Sequence, residues 1–428
     1  MLRLFVNSLG IRIKKNEYLY QLLVCLIPLK VFSVFYKFLG IYPSVQGGEI
    51  RLLKQVLISP HWNITSINAT RYKELESKFA KYTGSEYAIA VSGGGVGIVM
   101  TLRALGLKPG STIAHQVDTC NAVPQSILNA HFTPVFRDIS LENNMLNLQL
   151  ANAIKYQTND AMIATHMWGY YENINGLLDS KSKQNQFLVE DCCLALGLKI
   201  DGEHVGNQGI AGIFSFGASK PTQAGEGGMI ITNNQELAKE LKIIRNWGEE
   251  IGQSRDLKKL SINGRLSETT SALATLQLES IDKRVTTTQN LVRKFNEFLS
   301  KSRIFRLKNV NDNITNSIFT RIVLEIKREN LNKSQNVEYF LNEFRKFGVG
   351  AFYANFEPLT ELTLFKNGDW QNWCHNLKNT TIMNNQGSFP NAYKLFKESG
   401  ISLPQEYFRN NSKLEYVKSV ILKIEKEL

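Results

Sequence analysis

Tyr87-Ala-Ile-Ala-Val-Ser92 runs straight into Gly93-Gly94-Gly95 and an apolar stretch from Val96 to Leu105. A short uncharged β-rich run, then glycines, then a helix-length apolar segment reads as a strand–turn–helix unit. Working outward, Tyr72–Lys81 reads as a helix with Leu75 and Phe79 on one face. Further strand candidates are Thr112–Val117, Pro134–Ile139, Ala161–Met167, Phe187–Asp191, Gly212–Phe216 and Gly228–Thr232. Their unbroken apolar character suits strands buried on both faces. Strands interleaved with helices predict an α/β fold with a mainly parallel sheet. The last three candidates leave no room for crossover helices, so at least one pair among them is expected to be antiparallel. A long helix is expected around Thr269–Leu299. Beyond it, a strand at Ile318–Ile326 and helices at Val337–Phe347 and Tyr416–Glu427 read as a smaller α+β domain. The boundary is placed near residue 295, giving a large domain over 43–294 and a small one over 295–428.

The 428 residues are 43% hydrophobic and 21% charged, which excludes a disordered or collagen-like chain. Fifty Lys and Arg stand against 38 Asp and Glu, a net charge of +12. Within residues 1–60, eight basic residues face only Glu17 and Glu49, so half of the surplus lies there. No recognisable nucleic-acid module carries it, and the expectation is no nucleic-acid partner. Tyr18–Leu29 is too short to span a bilayer. Val31, Val34, Phe35, Phe38 and Leu39 then recur at helical spacing opposite Lys30 and Lys37. This makes 1–42 a basic hydrophobic extension, either an interfacial helix in peripheral contact with an anionic membrane or a helix packed on the protein. Cys25, Cys120, Cys192, Cys193 and Cys374 form no disulfide framework, and a cytoplasmic setting is expected. The six histidines lack zinc-ligand spacing, so no metal is expected.

Three local signals carry chemistry. Ser215-Phe-Gly-Ala-Ser-Lys220, followed by Gly225-Glu-Gly-Gly228, places a lysine between two strands beside glycines that admit a bulky group. Val189-Glu190-Asp191 ends an apolar strand in a carboxylate, where a sheet's carboxyl edge faces a ligand crevice. The junction Ser92–Gly95 offers backbone N–H groups and a helix dipole to a phosphate. Each alone has a plainer reading: a solvated lysine, an N-cap, a turn. Together they are what pyridoxal phosphate requires: a lysine to bond it, an acid for its ring nitrogen and a cradle for its phosphate.

The sequence resembles the sugar aminotransferases of the DegT/DnrJ/EryC1/StrS family, pyridoxal-phosphate enzymes of fold type I. The resemblance runs from about Pro43 to Leu428. Its carriers are Glu76–Gly84, Thr133–Asp138, His166–Gly169, Val189–Cys193, Ser215 through Lys220, Gly225–Gly228, Asn263-Gly-Arg265, Phe389-Pro390 and Leu403-Pro404. It implies an aspartate-aminotransferase-like fold with a large mixed sheet. It also implies that Lys220 bonds the cofactor and moves the substrate proton, and that Asp191 partners the ring nitrogen. Ser215 with the backbone of Gly93 and Gly94 is implied to bind the phosphate. Asn263 is implied to reach the phosphate of a neighbouring subunit, which calls for a homodimer with shared active sites. The implied reaction converts a keto-sugar, expected to be nucleotide-linked, to an amino sugar with glutamate as the expected donor, in surface polysaccharide or glycoside biosynthesis.

Four positions depart from the family pattern: Gly94 stands for a Thr, Cys120 for an aromatic, Leu194 for Gln or His, and Thr360 for His. Cys193 stands where the family keeps a small residue. Two alternatives therefore accompany the aminotransferase reading. One is a sugar dehydratase or other elimination with the same cofactor; the other is a non-catalytic, membrane-associated relative.

Overall fold

The computed structural model describes residues 48–59, 68–139, 160–170, 187–251, 256–308, 317–332, 334–373 and 389–428. The extension 1–42 lies outside these residues. Among the described residues, no helix is long and apolar enough to cross a membrane.

Seven strands form the main sheet: β1 (Tyr87–Val91), β2 (Thr112–Gln116), β3 (Thr133–Arg137), β4 (Ala161–Thr165), β5 (Phe187–Asp191), β8 (Ala211–Ser215) and β9 (Gly228–Thr232). Their spatial order is β1-β9-β8-β5-β4-β2-β3. All neighbouring pairs are parallel except those of β9, which runs antiparallel to both β1 and β8. The expected antiparallel pair is thus β8–β9. β5 and β8 are parallel, and the link between them carries only the hairpin of β6 (Lys199–Ile200) and β7 (Glu203–His204).

Alternation sorts the strand residues to two faces. Ala88 and Ala90 of β1 join Phe214, Met229 and Ile231 on one face. The helix Arg71–Thr83 lies there, burying Tyr72, Leu75 and Phe79 at helical spacing. The Phe79 ring meets Phe214 edge-on at 5.1 Å. The opposite face, with Ile89, Val91, Ile213 and Ile230, is covered by the helix Gly94–Ala104 through Ile98 and Leu102. Glu268 fixes the entry of the first helix from far along the chain. Its carboxylate accepts the N–H groups of Thr70, Arg71 and Tyr72 at 3.1, 2.9 and 2.9 Å. These are orphan donors of a helix start, satisfied by a buried acid in place of an N-cap side chain.

The long helix expected over 269–299 is two helices, Glu268–Glu279 and Ile281–Leu299, joined at Ser280. After them, a second sheet of β10 (Phe305–Leu307), β11 (Arg321–Ile326), β13 (Gly400–Pro404) and β12 (Phe352–Tyr353) is antiparallel throughout. The helices Val337–Lys346 and Asn411–Glu427 share its core with Leu291, Val292, Phe295 and Leu299. Residue 295 therefore falls within a helix, not a linker.

Two segments tie the sheets together. The turn after β4, Met167–Gly169, accepts the N–H groups of Ile318 and Thr320 on its Gly169 and Trp168 carbonyls, each at 2.8 Å. Leu359 donates its N–H to the Val117 carbonyl at 2.7 Å, and the Asn355 amide donates to Asp118 Oδ2 at 2.6 Å.

Candidate active site

At the carboxyl edge of the main sheet, Cys193 is the point where the expected site residues meet. Its N–H donates to Asp191 Oδ1 at 3.1 Å. A Cβ built on Gly94 would lie 2.7 Å from its Sγ and 3.2 Å from Ser215 Cβ. The Asp191 and Lys220 charges both act on its thiol. Lys220 closes a turn by donating its N–H to the Gly217 carbonyl at 3.1 Å, and its Cγ and Ser215 Oγ both lie within 4 Å of the Gly217 Cβ position. Gly93, Gly94, Asp191, Ser215 and Lys220 are therefore gathered in one place from β1, β5 and β8.

Why the chain folds this way is local. The helix Gly94–Ala104 starts directly off β1 at Gly93, so its first N–H groups face the sheet edge with no capping side chain. Close approach demands glycine opposite: a Cβ on Gly228 would meet the Phe214 carbonyl at 2.6 Å and the Gly93–Gly94 peptide at 3.0 Å. The lysine loop is pinned at its base, with Phe216 donating to the Gly227 carbonyl and Ala224 to the Phe216 carbonyl.

Asp191 is 3% exposed and ends β5. Its second oxygen accepts from Thr165 Oγ1 at 3.4 Å. Thr165 sits opposite Asp191 in the parallel register of β4 and β5, and its hydroxyl meets that of Thr119 at 2.9 Å. Gln116 holds the Thr165 backbone on both sides, at 3.0 and 2.8 Å. The orienting role of Thr165 is not visible in sequence, because only the strand register brings it beside Asp191.

Asn263 is not drawn into this cluster. It is exposed, and among the described residues its Oδ1 accepts only from the Arg265 N–H, at 3.4 Å. Its neighbour Gly264 accepts the Ser92 N–H at 2.9 Å, which brings this segment beside the residue that precedes the Gly93–Gly94 turn. Trp247, Leu257 and Leu260 are exposed on the same chain region, where Asn246 bridges to Asn263.

The departing positions have distinct environments. Cys193 fills the space a side chain at 94 would need, so Gly94 and Cys193 are one steric substitution written at two sites. Burial pushes the Cys193 thiol well above its usual range; the Asp191 charge adds to this and Lys220 opposes it. Leu194 is buried in the core that joins the two sheets. Thr360 is buried beside Tyr393. Cys120 remains partly exposed.

His166 Nε2 meets Glu190 Oε2 at 2.9 Å, both fully buried. Burial alone raises a carboxyl's pKa, but His166 and the amides of Gly206 and Gly209 outweigh it and hold Glu190 below its usual value. The two Glu190 oxygens also accept from Gly206, Gln208 and Gly209 at 2.7 to 2.9 Å. Cys192 lies close to this pair, making the set of ligand-type side chains found among the described residues. With four donors already on its carboxylate, Glu190 acts here as a structural anchor.

The donor set fits pyridoxal phosphate. A buried strand-end carboxylate suits a pyridinium N–H, and a lysine stands beside it. A hydroxyl and free helix-start amides suit a phosphate dianion, and Cβ-free backbone leaves room for the ring. Fold and site together define a pyridoxal-phosphate enzyme of fold type I. The chain belongs to the DegT/DnrJ/EryC1/StrS aminotransferase family, whose profile matches residues 47–399. It is 26% identical over 283 residues to the GDP-perosamine synthase of Vibrio cholerae, covering 66% of this chain and 76% of that protein. Among solved structures, an aminotransferase from Psychrobacter cryohalolentis aligns at TM-score 0.78 and 20% identity, over 90% of this chain and 98% of its own. GDP-4-keto-6-deoxy-D-mannose-3-dehydratase of E. coli, with bound hydrated PLP, aligns at 0.73 and 20% identity, over 89% and 98%.

Proposed function

We propose that this enzyme transfers an amino group from glutamate to the carbonyl of a nucleotide-linked keto-sugar, in amino sugar biosynthesis for a surface polysaccharide or glycoside. What carries the reading is the convergence of Lys220, Asp191, Ser215 and Gly93–Gly94 on Cys193, together with a GDP-perosamine synthase among the relatives. When bound, pyridoxal phosphate supplies an electron sink for the pair released at the substrate carbon. Lys220 Nζ is the group that would hold the cofactor, and once freed it would serve as the base that moves the substrate proton. The Asp191 carboxylate, oriented by Thr165 and the Cys193 N–H, would hold the ring nitrogen's proton. Ser215 and the first amides of the helix Gly94–Ala104 would hold the phosphate.

Asn263 is assigned to the phosphate of a second copy, and the exposed Trp247, Leu257 and Leu260 around it support a homodimer with shared sites. Residues 43–294 are read as the cofactor-binding part and 295–428 as the smaller part. The extension 1–42 is assigned a peripheral contact with anionic lipid at the cytoplasmic membrane face, which liposome flotation of the full chain tests.

The visible absorption spectrum of the purified protein tests the central reading. A band near that of a lysine-bound pyridoxal, absent in Lys220→Ala and bleached by glutamate, is expected. No band after incubation with cofactor overturns it. The elimination reading rests on the altered pocket at Cys120, Leu194 and Thr360, where the family keeps an aromatic, Gln or His, and His. Deoxygenated product without nitrogen incorporation decides in its favour.

A further inference from the structure

The face of the second sheet that meets the first carries two cations that the chemistry above leaves without a task. Arg321, Val323 and Glu325 alternate onto that face of β11. Glu325 is taken by Arg306 across the strand pair, with two guanidinium nitrogens on its carboxylate at 2.9 and 2.8 Å. Lys308 follows β10, donates its N–H to the Val323 carbonyl, and is only 4% exposed. Among the described residues its ammonium makes no hydrogen bond and no ion pair. Burial pushes its ammonium down to about 8, with Glu325 and Asp118 acting the other way. The Asp118 carboxyl is itself pushed up to about 7 by burial, so it compensates Lys308 only in part.

Arg321 is held differently. Its guanidinium carbon lies over the Trp168 ring at 4.3 Å and over the Phe352 ring at 4.8 Å. Nη1 donates to Ser402 Oγ at 3.3 Å, and no carboxylate pairs with it among the described residues. Rings on the faces of a guanidinium leave its in-plane N–H fork free, and fix its orientation. Such a fork matches the paired oxygens of a carboxylate or phosphate. The fold strains to place it. Trp168 stands at φ +53°, unusual for a bulky residue, with Gly169 beside it at +71°. That turn begins two residues after Thr165, whose hydroxyl bonds Asp191, and it lies against the Leu194 carbonyl, which a Gly169 Cβ would meet at 3.0 Å. The turn that carries Trp168 thus ties Arg321 to the strand ends at Thr165 and Asp191. A half-buried cation without a counter-charge is costly to keep unless an anion arrives.

We infer that Arg321, with Lys308 on the neighbouring strand end of the same sheet, forms an anion-binding wall of the active site and takes the phosphate or carboxylate oxygens of a substrate. The inference rests on the proposed reading only in that the ligand is that site's own substrate.

The test uses the full-length holoenzyme and the variants Arg321→Gln, Arg321→Lys and Lys308→Met. Two probes are read: the glutamate concentration that half-bleaches the visible band, and calorimetric binding of GDP or UDP. At least about tenfold weaker binding of one probe is expected in Arg321→Gln, the scale of losing a charge-assisted pair of bonds. Arg321→Lys is expected to lose less because the charge remains. The cofactor band and melting temperature stay at wild-type values. A loss confined to glutamate assigns the wall to a carboxylate; a loss confined to the nucleotide assigns it to phosphate. All three variants binding both probes within twofold of wild type overturn the inference, as does a wild type that binds neither. A wild-type band that no glutamate bleaches, with nucleotide binding still dependent on Arg321, refutes the donor assignment and leaves the anion wall standing.

Discussion

A methyl group added at Gly94 would sit 2.7 Å from Cys193 Sγ and 3.2 Å from Ser215 Cβ. Ordinary contact between such atoms lies near about 3.5–4.0 Å, so the overlap with sulfur is roughly 1 Å. Gly94 is in a helix start wedged against β8 and β9, and Gly228 already packs on its peptide, so the backbone has little room to retreat. Overpacking of this kind costs about 1–3 kcal/mol. Gly94→Ala is therefore expected to destabilise the protein by about 2 kcal/mol. Cys193→Ala removes the offending sulfur and by itself loses about 1 kcal/mol of burial. In the double variant the methyl enters the vacated space, with Ser215 Cβ at 3.2 Å. Its destabilisation is expected to fall below the sum of the singles by at least about 1 kcal/mol. Urea unfolding of the four cofactor-free proteins gives the coupling energy directly. Additivity within about 0.5 kcal/mol refutes the claim that positions 94 and 193 share one volume. A functional corollary follows from the same geometry. Gly94→Thr adds a hydroxyl to the phosphate cradle only if it fits, so it should tighten cofactor binding about tenfold in the Cys193→Ala background and weaken it alone.

Other outcomes follow from the same contacts. Burial holds the Asp118 carboxyl at about 7, with Asp138 raising it further and its own N–H, Asn355 and Lys308 opposing. Between the unfolded value near 4 and about 7 the folded chain keeps a proton that the unfolded chain lacks. Stability from this group therefore falls as pH rises through that window, by at most about 1.4 kcal/mol per unit, and levels off above it. Asp118→Asn keeps an acceptor for Asn355 and should flatten this slope in melts between pH 5 and 8; an unchanged slope rejects the assignment. Glu268→Ala orphans three helix-start amides and is expected to cost about 2–3 kcal/mol in chemical denaturation, with Glu268→Gln recovering part of it. Trp247→Glu, at an exposed position, is expected to shift light-scattering mass from dimer to monomer while a monomeric wild type would remove the basis for shared sites. Asp191→Ala should abolish the visible band's stability to dialysis, leaving the fold's melting transition in place.

Much of the fold is legible along the chain because it is local. Buried strands such as Tyr87–Val91 and Phe187–Asp191 are written as short apolar runs, and helices such as Arg71–Thr83 as residues recurring at helical spacing. The glycines at 93–94 and the lysine at 220 announce close approach and chemistry where they stand. Position 280 was less legible: the residues either side are equally helical in pattern, and the break is a matter of which core each helix faces.

What sequence could not supply is adjacency across strands. Thr165 becomes an orienting group for Asp191 only through the parallel register of β4 and β5. Glu268 becomes a helix cap across nearly two hundred residues of chain. The substitutions at Gly94 and Cys193 look like two independent losses when read in a line, and become one exchange of volume when the segments that follow β1 and β5 meet at the sheet edge. Arg321 reads as an ordinary strand residue until Trp168 and Phe352, from two other parts of the chain, close over it. The residue types and their periodicity are fixed by composition and order, because hydrophobic burial and backbone hydrogen bonding act over a few residues at a time. The pairing of side chains that orients an acid, makes room for a thiol or leaves a cation unpaired is decided only when distant segments are packed into contact.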